Sequence, residues 1–160
     1  MPRVNDTINI GNARILFRNF EGRPDKYNKD GKRGFCVIID DPERAEQLAE
    51  DGWNVRILKP RDEDEVPRHY IPVAVCYKIA PPKVYRIAGK KKVLLDEETV
   101  GQLDYADIRN VDLIIRPYNW EMSDKNGMSS GVKAYLKTMY VTVEEDEFAY
   151  KYEDDYERPF

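Results

Sequence analysis

The sequence predicts a mainly β fold, best described as an OB-fold-like small antiparallel barrel with two short helices. Short apolar runs alternate with turn residues, and the longest runs cover residues 111–120 and 132–143. Asp124, Asn126 and Gly127 lie between these two runs, where they predict the turn of a long antiparallel hairpin. No strand–helix–strand alternation recurs along the chain, which argues against a parallel α/β sheet. Among small barrels, the OB-fold is the common form that binds oligomers.

The other predicted strands are shorter. They are expected at residues 13–20, 35–39, 53–59, 72–79, 84–87 and 92–95. Gly89 and Lys90 separate the last two, which therefore form a second hairpin. The connection 21–34 is too long for a tight turn and is basic, with five Lys or Arg against three acids.

Two helices are indicated by their start and stop signals. Asp41 is a good N-cap, Pro42 suits the first turn, and Gly52 ends the first helix. Asp96 caps the second, which is expected to run over residues 97–105 with acids in its first turn. Both are predicted to be short surface helices.

Length and composition indicate one soluble domain. A chain of 160 residues with 41% hydrophobic and 35% charged residues can bury one core and carry a strongly ionised surface. No apolar run approaches the roughly 20 residues that cross a bilayer. Residues 1–6 lack the apolar stretch of a signal peptide, so we expect no membrane association and a cytoplasmic location, which is the host cytoplasm if a phage encodes the chain.

The residues that bind metals are too few for a metal site. Cys36 and Cys76 lie in apolar runs, so we predict reduced core thiols rather than a disulfide. His69 is the one histidine and is expected in a loop. Since no cysteines are closely paired, we predict neither a metal nor a cofactor.

The charge is distributed unevenly along the chain. Residues 144–160 contain eight acids against Lys151 and Arg158, whereas residues 1–143 carry a net charge of +2. We therefore divide the chain into a β-rich body, 1–143, and an acidic tail, 144–160.

Both strands of the long hairpin alternate basic and aromatic residues on one side. Since a strand has a two-residue period, every second side chain shares a face. These positions are Arg116, Tyr118 and Trp120 on the first strand and Lys133, Tyr135 and Lys137 on the second. Flat rings stack on unpaired bases for about 1–3 kcal/mol each while cations follow the phosphates, so this pattern favours single-stranded nucleic acid. The alternative is that the rings are ordinary half-buried cross-strand pairs.

The same alternation recurs elsewhere and extends the predicted DNA-binding groove. The further positions are Tyr77 and Lys78, Tyr85 and Arg86, and Lys90, Lys91 and Lys92. Three lysines at a hairpin tip are on their own typical of a solvated turn.

Motifs for catalysis are missing, so no catalytic residue is predicted. Gly89 and Lys90 lack the earlier glycine of a phosphate-binding loop, and Lys91 stands where Ser or Thr would bind magnesium. A single histidine leaves no Ser-His-Asp set. The pairs Asp40–Asp41 and Asp62–Glu63 could hold Mg²⁺ in a nuclease, but adjacent side chains in an extended segment point apart.

The tail combines acids with rings. Its aromatic residues are Phe148, Tyr150, Tyr152, Tyr156 and Phe160. A merely solubilising tail needs no aromatics, whereas a recognition segment uses them as anchors. The tail's negative charge could also lie over the cationic groove and compete with DNA.

The tail and the body resemble two related groups of proteins. Bacterial single-stranded DNA-binding proteins end in an acidic tip closing with Pro-Phe, which resembles Asp154, Asp155, Tyr156, Pro159 and Phe160 here, although Arg158 precedes the Pro-Phe pair and no long Gly/Gln/Pro linker is present. Residues 111–121 and 132–137 are similar to bacteriophage-encoded single-stranded DNA-binding proteins, and the resemblance extends over residues 35–147. It implies an OB-fold that binds DNA, a tail that contacts replication or recombination proteins, and a role in those processes.

We therefore expect a sequence-tolerant binder of single-stranded DNA. The alternative is a protein-interaction or phage structural module whose aromatic hairpin faces another protein, and a metal-dependent nuclease is a third hypothesis. The sequence leaves open whether the chain forms a homodimer and whether it prefers DNA or RNA.

Overall fold

The computed structural model describes residues 4–26, 28–58, 66–78 and 80–144. Within them lie nine strands, one α-helix, α1 (Pro42–Glu50), and one 3₁₀ helix (Val100–Asp104). The strands are β1 (Ile8–Ile10), β2 (Ile15–Asn19), β3 (Arg33–Ile39), β4 (Arg56–Leu58), β5 (Arg68–Val75), β6 (Lys83–Ala88), β7 (Lys91–Leu95), β8 (Ile108–Asp124) and β9 (Gly127–Val143). The prediction of a mainly β fold is confirmed.

All strands belong to one sheet, which is mixed rather than purely antiparallel. Its main path is β1-β8-β9-β5-β3-β2, with β4 paired to β5 and the β6–β7 hairpin paired to β9. β9 runs parallel to both β5 and β6, which corrects the predicted antiparallel barrel. Parallel neighbours need a long crossover connection, and the chain between β5 and β9 supplies it through β6, β7, the 3₁₀ helix and β8.

The sheet curls because its two end strands are consecutive in the chain. β1 and β2 lie at opposite ends of the path but are separated only by residues 11–14. A flat path of six strands would place them about 24 Å apart, whereas the connecting chain reaches at most about 18 Å. Hydrogen bonds from Ala13 N to Val111 O and from Ile38 N to Arg14 O join this connection to β8 and to β3. A curled, partly open sheet is the general form of an OB-fold.

The core lies inside this curl and is formed by the inward side chains of the strands. On β8 and β9 the buried positions are Val111, Leu113, Ile115, Val132, Ala134, Leu136, Met139 and Val141. The alternation changes phase once, because a register shift leaves Lys137 as an extra residue between Leu136 and Thr138. This β-bulge keeps both halves of the long strand facing the same core.

The two predicted helices have different outcomes. α1 is confirmed: the Asp41 carboxylate accepts a hydrogen bond from Glu43 N at 3.0 Å, and Pro42 occupies the first turn. The second is a shorter 3₁₀ helix, because the Asp96 carboxylate accepts from the N–H groups of both Glu98 and Thr99 and holds them in a turn. These side-chain bonds compete with the first turn of an α-helix.

Three residues lie elsewhere than predicted. His69 is in β5 rather than in a loop: it pairs with Ile39 of β3 and lies on the same face as the inward Ile71. Cys36 and Cys76 are both half-buried rather than in the core. Burial raises the pKa of the Cys36 thiol, and the nearby Arg56 opposes that shift. In the described part of the chain, no helix is long and apolar enough to cross a membrane.

Candidate nucleic-acid interface

Four of the predicted residues meet on the outer face of the β8–β9 hairpin. The register places Arg116 directly opposite Tyr135 and Tyr118 directly opposite Lys133. Their neighbours Ile115, Val132 and Ala134 point into the core, so these four side chains point away from it. We call Arg116, Tyr118, Lys133 and Tyr135 the hairpin face.

The two tyrosines of the hairpin face are surrounded by positive charge. Their ring centroids lie 5.8 Å apart in an edge-on arrangement. The Arg116 guanidinium carbon is 5.1 Å and the Lys133 ammonium nitrogen 5.2 Å from the centroid of the Tyr135 ring. Such distances are within the range of cation–π attraction. Tyr118 is 52% exposed, so a flat ring is available to solvent beside two cations.

Trp120 continues the same side of β8 toward the hairpin tip. It pairs with Gly131, and a Cβ at position 131 would lie only 2.9 Å from Cζ2 of the indole. The ring therefore packs directly on the backbone of β9, which a side chain at 131 would prevent. Gly131 thus positions the indole.

Trp120 also lines a groove of about 600 Å³ that the sequence did not indicate. The groove lies where the hairpin separates from β4 and β5, and Arg56, Pro72, Ala74 and Lys133 share its lining. A parallel bridge between Trp53 and Val132 brings the chain before β4 beside β9. The groove thus offers an indole, a guanidinium and an ammonium group next to the hairpin face.

A second aromatic cluster lies farther along the outer side of β9. Tyr85 on β6 is next to Tyr140, with ring centroids 5.1 Å apart and planes at 10°. The Lys92 nitrogen lies 4.9 Å from the centroid of Tyr85. The exposed Lys137 occupies the bulge between the hairpin face and this cluster. Tyr140 was missed because the bulge moves it to the outer side.

Other predicted groove residues are not brought to this cluster. Arg86 follows Tyr85 directly and therefore faces the opposite side, where its Nη1 donates to Gln102 Oε1 at 2.6 Å. Lys91 likewise alternates with Lys92 and faces away from Tyr85. Lys90 lies exposed in the hairpin turn.

Tyr77 and Lys78 lie near the end of β5 and do not join the hairpin face. The Arg33 guanidinium carbon is 5.5 Å from the centre of the Tyr77 ring, and the buried hydroxyl oxygen has no hydrogen-bond partner among the described residues. Burial raises the pKa of Tyr77 to about 12; Arg33 opposes this shift, whereas Asp96 and Glu97 add to it. Tyr77 is therefore held by packing, while Lys78 is exposed.

Phe17 is an exposed aromatic residue in β2, within the strand that the sequence predicts over residues 13–20. It has a positive φ of 54° and is 65% exposed, and its ring contacts the edge of Tyr70 with centroids 6.3 Å apart. A bulky residue in this backbone region is strained and marks a place where tertiary structure determines the conformation. Phe20, three residues later, is the ring that packs in the core.

The remaining predicted groups concern the tail and the acidic pairs. Asp154, Asp155, Tyr156, Pro159 and Phe160 lie outside the described residues, as does the Asp62–Glu63 pair. β9 ends at Val143, and Glu144 N donates to Asp107 O at 2.7 Å. Asp41 of the other acidic pair caps α1.

The fold is similar to that of solved proteins from bacteriophage Enc34. The single-stranded DNA-binding protein of this phage in complex with single-stranded DNA matches with a TM-score of 0.52 and 14% identity, over 89% of each chain. Its C-terminal truncation matches with a TM-score of 0.52 and 13% identity, over 89% of this chain and 87% of that chain. A third structure of the Enc34 protein matches with a TM-score of 0.50 and 15% identity, over 94% of this chain and 90% of that chain. At these identities the similarity establishes a shared fold.

Sequence comparison gives the family assignment. No curated protein matches this chain. The model of one family, described as "Putative phage ssDNA-binding domain", matches residues 2–157. Because that match covers nearly the whole chain, the protein belongs to this family of phage single-stranded DNA-binding domains.

Proposed function

We propose that this protein binds single-stranded DNA without sequence preference, using the hairpin face and the adjacent groove. The observation that carries the proposal is the exposed Tyr118 ring beside the half-buried Tyr135, with Arg116 and Lys133 within cation–π distance of Tyr135. Rings beside cations suit a strand whose bases are unpaired and whose phosphates are accessible. The Enc34 protein of similar fold, solved with single-stranded DNA, supports the same ligand class.

In this proposal, bases stack on Tyr118, Tyr135 and Trp120, and the cations follow the backbone. Every base has a π-face, so stacking tolerates any sequence, whereas duplex DNA hides these faces inside the helix. Lys133 and Lys137 are exposed and suited to phosphates. Arg56 on the far side of the groove is a further phosphate contact.

We further infer that the bound DNA continues along β9 to the Tyr85–Tyr140 cluster. Tyr135 and Tyr140 flank the Lys137 bulge, and both face the outer side of β9. They are five positions apart in the β-strand, which corresponds to about 17 Å. Lys90 and Lys92 supply charge at that end, whereas Arg86 and Lys91 face away and contribute least.

The biological role that we infer is phage DNA replication, recombination or repair in the host cytoplasm. Membership of a phage family supports it. Residues 1–143 would form the binding domain, and residues 144–160 would recruit replication or recombination proteins or compete with DNA. The eight acids and the aromatic residues of that segment are its support.

Tryptophan fluorescence tests DNA binding directly, because the two tryptophans differ in position. Both tryptophans border the groove, but Trp53 is only 4% exposed whereas Trp120 is half-buried, so oligo-dT should quench the emission of Trp120. Duplex of equal length should quench it little, and Trp120→Phe should abolish the quenching in a protein that still folds. Affinity should fall steeply with salt. The absence of both quenching and a gel shift with single-stranded DNA would refute the proposal. DNA-independent assembly would then favour a protein-interaction module.

A further inference from the structure

A second groove, of about 590 Å³, opens between β2 and the first residues of β5 and β8. Its charged lining consists of Arg14, Arg18, Arg68, Arg109 and Asp107. Four cations against one acid surround a single cavity, so we call it the arginine groove. It shares no lining residue with the groove beside the hairpin face.

Three of the four arginines make no ion pair with a described residue. Arg18 is held in place, since its Nη1 donates to Leu103 O at 2.8 Å and to Ala106 O at 2.9 Å. Arg14, Arg68 and Arg109 are exposed, and their side chains have no ion pair or hydrogen bond with any described residue. Like charges around one cavity repel each other, and an anionic occupant would remove that cost.

The rest of the lining indicates what kind of anion fits. Ile15, Leu16 and Ile108 contribute half-buried aliphatic surface, and the lining contains no aromatic ring. Unpaired bases would therefore find no stacking platform here. A peptide that combines carboxylates with apolar side chains matches both the arginines and the aliphatic floor.

The described part of the chain ends beside the groove, so the acidic segment that follows begins there. Glu144 N donates to the backbone oxygen of Asp107, and Asp107 lines the groove. The next residues, 145–160, contain seven acids against two bases. A segment that starts at the edge of a site has a high effective concentration there, so even weak contacts would be occupied.

We propose that residues 145–160 dock in the arginine groove of the same molecule, with their carboxylates paired to Arg14, Arg68 and Arg109. The inference deepens the proposed role of the acidic tail and assigns it a surface other than the hairpin face. It rests on that role but not on DNA binding. The tail would then compete with DNA phosphates for the arginines, but not with DNA bases for the stacking residues of the hairpin face.

Zero-length cross-linking of the full chain tests the docking. Arg109→Lys and Arg68→Lys keep the charge and introduce an amine. A carbodiimide activates a nearby carboxylate, the amine displaces the activating group to form an amide, and the carbodiimide leaves as a urea. Arg56→Lys is the matched control, because Arg56 lies in the groove beside the hairpin face.

Docking predicts amide links, at monomer mass, between the introduced amine at 109 or 68 and carboxylates of residues 145–157. The yield of these links should exceed the yield of tail links to position 56 at least fivefold. It should fall strongly in 1 M salt, where the screening length is about 3 Å. The proposal fails if the tail links mainly to position 56, Lys133 or Lys137. It also fails if the new amines at 68 and 109 link to Asp62–Glu65 instead of the tail, or if the tail forms no link to any of these positions.

A DNA titration separates the remaining alternative. The triple variant combines Arg14→Gln, Arg68→Gln and Arg109→Gln. If the arginine groove were part of the DNA path, this variant would lose as much affinity for oligo-dT as the hairpin-face variants do. That result would overturn the assignment of the groove to the tail. Docking predicts unchanged or tighter binding. Failure of oligo-dT to quench Trp120 would refute the proposed function alone and leave the cross-links intact.

Discussion

Arg116 lies directly opposite Tyr135 across β8 and β9, with its guanidinium carbon 5.1 Å from the centre of the tyrosine ring. Lys133 approaches the same ring from its own strand at 5.2 Å. The phenol ring is therefore held in a fixed orientation without a bound ligand. An aromatic platform that is already ordered loses less conformational entropy when a base stacks on it.

Tyr135→Leu should weaken binding of single-stranded DNA, because the stacking platform is lost. Stacking of about 1–3 kcal/mol per base corresponds to a roughly 5- to 150-fold higher Kd. Tyr135→Phe keeps the flat ring and should bind within about threefold of the wild type. Fluorescence anisotropy of a labelled oligo-dT gives both values.

Tyr105 provides the matched control for this experiment. It is 72% exposed, and the Arg23 guanidinium carbon lies 5.4 Å from its ring centre, so it reproduces the tyrosine–arginine pair away from the hairpin face. Tyr105→Leu should leave the affinity unchanged. Equal losses in the two leucine variants would contradict a specific role for the hairpin face.

Lys133→Gln should change the salt dependence of binding. Each phosphate contact to a single strand contributes about 0.7 to the slope of log K against log salt, so losing one cation should reduce the slope by about that amount. Lys29→Gln, an exposed lysine in the 21–34 connection, is the comparison. Titrations at four salt concentrations decide the point, and identical slopes for both variants would count against a phosphate contact at Lys133.

Gly131→Ala should displace the Trp120 indole. The new Cβ would lie 2.9 Å from Cζ2 and 3.1 Å from Nε1, and a packed indole cannot move without losing its contact with the backbone. Overpacking of this kind costs about 1–3 kcal/mol of stability, and the quenching of Trp120 by oligo-dT should weaken. Ser129→Ala, at an exposed position outside the groove lining, is the control. Unchanged emission and quenching in Gly131→Ala would show that the indole is not positioned by Gly131.

The hairpin face could be predicted from sequence because strand period and turn residues act locally. Once Asp124, Asn126 and Gly127 fix the turn, the pairing of Arg116 with Tyr135 follows from counting residues. Counting fails past Lys137, because the bulge shifts the period by one residue and brings Tyr140 outward. Adjacent residues of a strand point to opposite faces, so the two members of Tyr85-Arg86, and those of Lys91-Lys92, could not share a face.

Non-local pairing explains the other differences. Arg56 reaches the groove only because the short β4 pairs with β5 and Trp53 bridges to Val132, contacts that no local pattern encodes. β1 has three residues and was missed, since its pairing with residues 113–115 of β8 decides its structure rather than its own propensity. The direction of β9 relative to β5 likewise depends on the whole crossover.

Tyr77→Phe should remove part of the loss of stability at high pH. Burial raises the pKa of Tyr77 to about 12, against about 10 in the unfolded chain. Between these values the unfolded chain has lost a proton that the folded protein keeps, so the contribution of Tyr77 is fully present below pH 10 and declines as the pH approaches 12. At pH 8 the free energy of unfolding of the variant should lie within about 1 kcal/mol of that of the wild type, since the lost hydroxyl has no hydrogen-bond partner among the described residues.

Urea denaturation of both proteins at pH 8, 10 and 11 measures this effect. All other ionisable groups are common to both proteins, so the difference between their free energies of unfolding isolates Tyr77. The phenylalanine ring keeps the contact with Arg33, which lies 5.5 Å from the ring centre, and the packing should therefore be preserved. The variant should gain stability relative to the wild type as the pH rises from 8 to 11. A constant difference across this range would mean that the Tyr77 hydroxyl ionises as readily in the folded protein as in the unfolded chain.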